Sequence, residues 1–225
     1  MLWSSEISGR RKALKQRFDV ARQFEEIEES CVPSYAHGNP FAAWVSWERL
    51  TTAARHYERW APPGDLLDFG SATGELAHLI TPNGQYFFVE QNELLVDALS
   101  GWVPNAERLE PDGIGEDRFA AVFALDSLEH NTNIEPLIER LHRSLLPGGV
   151  LIVSGPTENM LYRLGRKLAG FEGHYHHQTI WDIESVLQQR LSLMRRTLVP
   201  IGMPLFSVST WRRDDAPPSG AERLG

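Results

Sequence analysis

The residues best suited to chemistry stand at the ends of apolar runs. Asp68 closes the run Leu66-Leu67-Asp68-Phe69, and Gly70, Ser71, Ala72 and Gly74 follow as a short loop before the segment Glu75 to Ile80. Glycines without a Cβ let such a loop take positive φ and bring bare backbone against a ligand, with the Asp68 carboxylate beside it. The pattern predicts a buried parallel strand, a tight loop and the first turn of a helix, placed where open α/β sheets bind nucleotide-type ligands. Glu90, with Gln91 next to it, ends a second run sixteen positions after Gly74. A carboxylate at that spacing can accept hydrogen bonds from both vicinal hydroxyls of a ribose. Asp126, Ser127 and Leu128 end a third run, Phe119 to Leu125. A pyrophosphate-binding loop requires G-x-G-x-x-G, whereas this loop reads D-x-G-x-x-x-G with Asp68 and Glu75 on its flanks. Two carboxylates there repel a pyrophosphate and suit a ligand that carries an ammonium and a sulfonium.

A second group of side chains could serve an acceptor. His130 follows the third run and is the best-placed general base for a hydroxyl nucleophile, the alternative being a structural hydrogen bond that holds its loop. Arg163, Arg166 and Lys167 recur at helical spacing on one expected face, and His174, His176 and His177 crowd the following loop. Clustered cations in a chain of net charge -8 point to an anionic acceptor. No regular cluster of acids accompanies these histidines, so no metal is expected. Cys31 is the only cysteine, which excludes an internal disulfide or a Cys-based zinc cluster.

These residues need a framework. Residues 1–61 read as helical: a basic stretch from Arg10 to Arg17, an acidic one from Phe18 to Glu29 at helical spacing, a Pro/Gly/Asn loop at 31–40, and a Trp-rich helix from Phe41 to Trp60. Pro62-Pro63-Gly64 breaks that helix. Strands are expected at 66–69, 85–90, near 105–109, at 119–125 and at 150–154, and two more at 193–199 and 205–211. Helices fall between them, with Asn92 capping one that ends before Gly101 and Thr179-Ile180-Trp181-Asp182 opening another with a capping box. Residues 214–225 form a polar tail, expected to be disordered. A single α/β domain at 62–213 suits the length, and no apolar run is long enough to span a bilayer. The absence of signal-peptide features makes the cytoplasm the default location, and the net charge argues against broad nucleic-acid binding.

Taken in order, D-x-G-x-x-x-G, a strand-end acid, Asp126-Ser127-Leu128-Glu129-His130 and Leu145-Leu146-Pro147-Gly148-Gly149 resemble the motifs of class I S-adenosylmethionine (SAM)-dependent methyltransferases over roughly residues 60 to 212. The resemblance implies a Rossmann-like, seven-stranded, mostly parallel sheet with an antiparallel last strand, helices on both faces and a helical N-terminal cap. It implies SAM as cofactor and S-adenosylhomocysteine (SAH) as product. Asp68, Gly70, Ser71, Ala72, Gly74, Glu90, Gln91, Asp126, Ser127 and Leu128 would lie around the cofactor, and Glu110 and Asp112 compete for an adenine contact. A small-molecule or saccharide acceptor, phosphorylated or lipid-linked, fits the cation cluster at Arg163, Arg166, His174, His176 and His177. O-methylation with His130 as base is the expected reaction. An NAD-dependent oxidoreductase and a non-catalytic cofactor-binding scaffold are the alternatives.

Overall fold

The computed structural model describes residues 4–20, 22–28, 30–129, 131, 133–157 and 179–214. Four helices open the chain, α1 (Ser5–Arg17), α2 (Phe24–Ile27), α3 (Val32–Tyr35) and α4 (Pro40–Trp60). A sheet follows, built from β1 (Leu66–Phe69), β2 (Tyr86–Val89), β3 (Glu107–Arg108), β4 (Phe119–Leu125), β5 (Leu145–Pro156), β6 (Ser192–Val199) and β7 (Phe206–Arg212). Helix α5 (Glu93–Trp102) connects β2 to β3, α6 (Ile134–Ser144) connects β4 to β5, and α7 (Ile180–Leu187) precedes β6. The strand order is β3-β2-β1-β4-β5-β7-β6. All neighbouring pairs from β3 to β5 are parallel, and β7 runs antiparallel to both β5 and β6. This is the expected seven-stranded, mostly parallel sheet.

Alternation along the strands builds two cores, because successive side chains point to opposite faces. Leu66, Phe88, Ala121, Phe123, Val150 and Ile152 join the N-terminal helices and α5 on one face. Leu67, Phe87, Val122, Ala124, Leu151 and Val153 join α6 and α7 on the other. The strands are apolar on both faces, as a sheet sandwiched between helix layers requires. Topology reverses between β1 and β4, which are hydrogen-bonded neighbours with Leu66 opposite Ala121 and Asp68 opposite Phe123. The loops after β1 and β4 therefore leave on the same edge, the edge at which open α/β sheets bind ligands in a crevice.

Several expected elements take a different form. The segment after the glycine loop makes only one 3₁₀ turn, Glu75–His78. Pro82 follows closely, and a proline removes a donor and biases its predecessor away from helical φ/ψ. The loop at 31–40 contains the short helix α3, with Pro33 in its first turn where a missing N–H is tolerated. Among the described residues of the stretch from Phe18 to Glu29, the single turn α2 is the helical element. Gly101 lies inside α5 rather than beyond it. β5 begins at Leu145 because Leu145 pairs with Phe119 ahead of a bulge. The caps read from sequence are present: Asn92 accepts from the Leu94 amide at 3.0 Å, and Thr179 and Asp182 cap each other's backbone.

Helix α4 has a polar buried stripe. Arg49, Thr52 and His56 follow Val45 at four-, three- and four-residue steps, and all of them are buried. His56 is fixed between two sheet hydroxyls, Thr210 at 2.8 Å and Thr197 at 2.9 Å. Burial, then the neighbouring Arg195 and Arg55, push its pKa down to about 4, so the ring is neutral and pins α4 to β6 and β7. Among the described residues, no helix is long and apolar enough to cross a membrane.

Candidate functional site

The glycine loop is a compact turn whose own amides are already used. Gly70 and Ser71 donate to the Val89 carbonyl at 2.9 and 3.3 Å, Gly74 donates to Ser71 at 2.9 Å, and the Ala72 N–H donates to Glu90 Oε2 at 2.9 Å. Gly70 and Gly74 both sit at φ 74°. A Cβ at Gly70 would come within 2.4 Å of Ser127 Cβ, so the glycine permits both the turn and the close approach of the β4 loop. Ala72, at φ 47°, holds a left-handed conformation that a non-glycine residue takes at a cost.

Donors consumed in this way do not form an anion nest. A pyrophosphate needs free N–H groups at a helix N-terminus. Here only a single 3₁₀ turn follows, and four amides of the loop are spoken for. Glu90 takes three amides, from Ala72, Gln91 and Asn92, and stays half-exposed at the end of β2. A carboxylate has about four acceptor positions, so it retains capacity for a hydroxyl. Ser71 Oγ and Ser127 Oγ are enclosed where the two loops meet, without a hydrogen-bond partner among the described residues. Orphaned hydroxyls are costly to bury, and their presence at the crevice fits a ligand that completes their bonding.

Asp68 is buried and accepts a hydrogen bond from the Tyr86 hydroxyl at 2.5 Å. Burial raises its pKa to about 7, opposed by that hydrogen bond and assisted by Glu90. The same burial, with Asp68 nearby, pushes the Tyr86 hydroxyl well above its ordinary range. Asp68 is thus about half protonated at neutral pH and carries a full charge only above it or when a cation approaches.

The N-terminal helices neutralise the other two acids of this region. Glu75, expected to flank the loop with a free charge, is buried and held in a two-pronged pair by Arg10 of α1, at 2.7 and 2.9 Å. Arg10 also stacks over Trp102, 4.2 Å from the ring centroid. Asp126, at φ 51°, accepts from Ser154 Oγ at 2.8 Å and pairs with Arg49 of α4. Arg49 reaches Cys31 Sγ at 3.4 Å and lies over the Phe206 ring at 4.7 Å. Burial foremost, then Asp126 and Glu129, drives the Cys31 thiol up to about 12 despite Arg49, so it stays a thiol. Leu128 is buried with the α6 and α7 core. Glu110 and Asp112 lie exposed beside Arg108 and Arg140.

Sequence reasoning missed Arg10, Arg49 and Tyr86. Arg49 was detectable, because it interrupts the buried stripe of α4 at the position of an apolar residue. His130 and the acceptor candidates Arg163, Arg166, His174, His176 and His177 lie outside the described residues. So does the tail from 215. Among the described residues, no group of three or more His, Cys, Asp or Glu side chains is arranged to hold a metal ion.

A sheet of this order, with its crevice at the β1–β4 switch, can be compared with known proteins. A family model described as a methyltransferase domain matches residues 45–191. The chain belongs to this methyltransferase family. With the family goes SAM as the methyl donor, and the protein is a SAM-dependent methyltransferase. No curated protein matches the sequence. Solved structures share the fold at low identity. The N-methyltransferase NodS from Bradyrhizobium japonicum WM9, in complex with SAH, is 14% identical with a TM-score of 0.62, the match covering 78% of this chain and 89% of that one. The carbon methyltransferase CurJ is 15% identical with a TM-score of 0.60, covering 92% of this chain and 71% of that one. YcgJ from Bacillus subtilis is 12% identical with a TM-score of 0.56, covering 76% of this chain and all (100%) of that one.

Proposed function

We propose that the methyltransferase acts on a hydroxyl of a small-molecule or saccharide acceptor that carries a phosphate or carboxylate. The cofactor half of this reading rests on one observation: the loop spends its amides internally and offers Asp68 and Glu90 to its ligand. Asp68 would meet the amino group and Glu90 the ribose, with the Ser71 and Ser127 hydroxyls between them and Gly70, Ala72, Gly74 and Gln91 forming the walls. SAM supplies an electrophilic methyl on a sulfonium. The protein's part is to align an acceptor oxygen with that methyl, exclude water and take up the proton. His130, directly after the β4 loop, is the residue we assign to the proton.

The acceptor half rests on position. β5 ends at Pro156, and Thr157 is tied to the carbonyls of Pro204 and Leu205 at 2.8 and 3.1 Å. The described chain thus leaves β5 at its carboxyl end, the edge at which β1 and β4 also end, and Arg163, Arg166, His174, His176 and His177 follow in the sequence. Residues 1–61 would form the cover, with Arg10 and Arg49 reaching down from it. NodS and CurJ are named for nitrogen and carbon acceptors on one fold, so the acceptor must be read from the site and not from the architecture.

The test is a screen of metabolite extracts with SAM carrying a labelled methyl. The Arg163→Ala/Arg166→Ala variant is expected to raise KM for the acceptor found about tenfold or more while leaving kcat near wild type, since cations that gather an anion contribute to ground-state binding. An unchanged KM would remove the anionic acceptor from the account.

A further inference from the structure

An arginine-rich pocket lies away from the glycine loop. It has a volume of about 380 Å³ and is lined by Thr52, Arg55, His56, Arg59 and Trp60 of α4 and by Arg195 and Thr197 of β6. The spacing explains how it forms. Residues 52, 55, 56 and 59 share one helix face, and 195 and 197 share one face of the strand. We propose that this cavity is a binding site for a small phosphate-bearing ligand, distinct from the site of methyl transfer.

Charge is the first argument. Three arginines are among the residues that line the pocket and, among the described residues, no acidic side chain is. Arg55 shares its charge with Glu48 at 3.0 Å, about two turns back along the helix. Arg59 and Arg195 have no ion-pair partner among the described residues. In a chain of net charge -8, three converging arginines set a field opposite to that of the whole molecule. The carbonyl end of α4 contributes a small opposing charge, about half an elementary unit, which the three guanidiniums outweigh. His56 records the field: Arg195 and Arg55 both add to the burial that keeps it neutral.

Shape selects the ligand class. Planar guanidinium forks match the oxygens of a phosphate with paired, charge-assisted hydrogen bonds, better than a lone cation does. The volume falls in the range of small-molecule sites, in a pocket open to solvent. The partly exposed Trp60 ring offers an apolar face for the rest of the ligand. A nucleic acid would require a long basic track, which this cluster of three arginines does not supply.

Distance separates the cavity from methyl transfer. β1 and β6 are the third and seventh strands of the sheet, four steps apart. At a strand spacing of about 4.8 Å this is roughly 19 Å, beyond the reach of a small acceptor whose reactive atom lies at the glycine loop.

The test uses the full-length protein saturated with SAH, so that anions are kept from the cofactor crevice. Glycerol 3-phosphate and inorganic phosphate are titrated at fixed ionic strength, with the Trp60 indole and His56 imidazole signals followed by NMR. Both probes are expected to give saturable shifts at these two residues. Arg59→Gln/Arg195→Gln, which alters two exposed side chains, should weaken binding about tenfold or more. Arg140→Gln, on α6 across the sheet, should leave it unchanged. Shifts that rise linearly without saturation, or equal affinity in the Arg59→Gln/Arg195→Gln variant, would overturn the proposal. So would a signal seen only with glycerol, which lacks the phosphate.

Discussion

Replacing Arg49 by methionine is expected to lower the stability of the fold by about 3–5 kcal/mol, as removal of one partner from a buried ion pair usually does. The side chains of Arg49 and Asp126 are 4% and 9% exposed. Methionine fills much of the same volume and keeps the packing against Phe206, but among the described residues it leaves Asp126 with hydrogen bonds from Ser154 and the Cys31 thiol alone. An uncompensated carboxylate in that setting is costly. The Arg49→Met/Asp126→Asn double variant removes both charges and retains an acceptor for Ser154, so most of the loss should return. Urea unfolding with unchanged m values is the measurement. A single-variant loss below about 1 kcal/mol would mean that the pair is no stronger than a surface one.

Asp68→Asn is expected to trade stability against cofactor binding. The wild-type carboxyl titrates near 7 in the folded protein and in the ordinary carboxylate range when unfolded. Between those values the folded state holds a proton that the unfolded state has released. Stability therefore falls as pH rises from about 4 to 7, by a few kcal/mol at most. Asparagine still accepts from Tyr86 but does not ionise. The variant should lose this slope and exceed wild type in stability at pH 8. Cofactor affinity should fall by about 1.5–3 kcal/mol, the usual worth of a hydrogen bond to a charged group. Unfolding curves at pH 5 and 8, paired with calorimetry of SAH binding, report both halves. An identical pH slope in Asp68→Asn would place the titration elsewhere.

These two residues show what the sequence discloses and what it hides. Asp68, Glu90 and the glycine loop were legible because a strand ending in an acid and a glycine turn is a local pattern. β4 and β5 were legible for the same reason, as unbroken apolar runs too short for buried helices. The capping residues Asn92 and Thr179 act within one turn and were equally plain. Arg10, Arg49 and Tyr86 depend on contacts across 65, 77 and 18 positions, respectively, with Glu75, Asp126 and Asp68. A basic residue on a helix ordinarily reads as solvated, and nothing local states that a carboxylate will meet it. Glu75 was misjudged for that reason: its charge is real, but Arg10 has already claimed it. The one-turn element after the loop was overextended because Leu76, Leu79 and Ile80 satisfy helical spacing, while Pro82 stops the chain before the pattern can be used.

The central claim is that the crevice at the carboxyl ends of β1, β2 and β4 binds SAM through carboxylates. Titration of SAH into wild-type protein and the Glu90→Ala variant by calorimetry addresses it most directly. Saturable one-to-one binding is expected for wild type, with Glu90→Ala weakened by about 1–3 kcal/mol because the ribose hydroxyls lose a charged acceptor. NAD should give no heat, since the loop's amides are not free to hold a pyrophosphate. Equal SAH affinity in wild type and Glu90→Ala, or NAD binding tighter than SAH, would contradict the account.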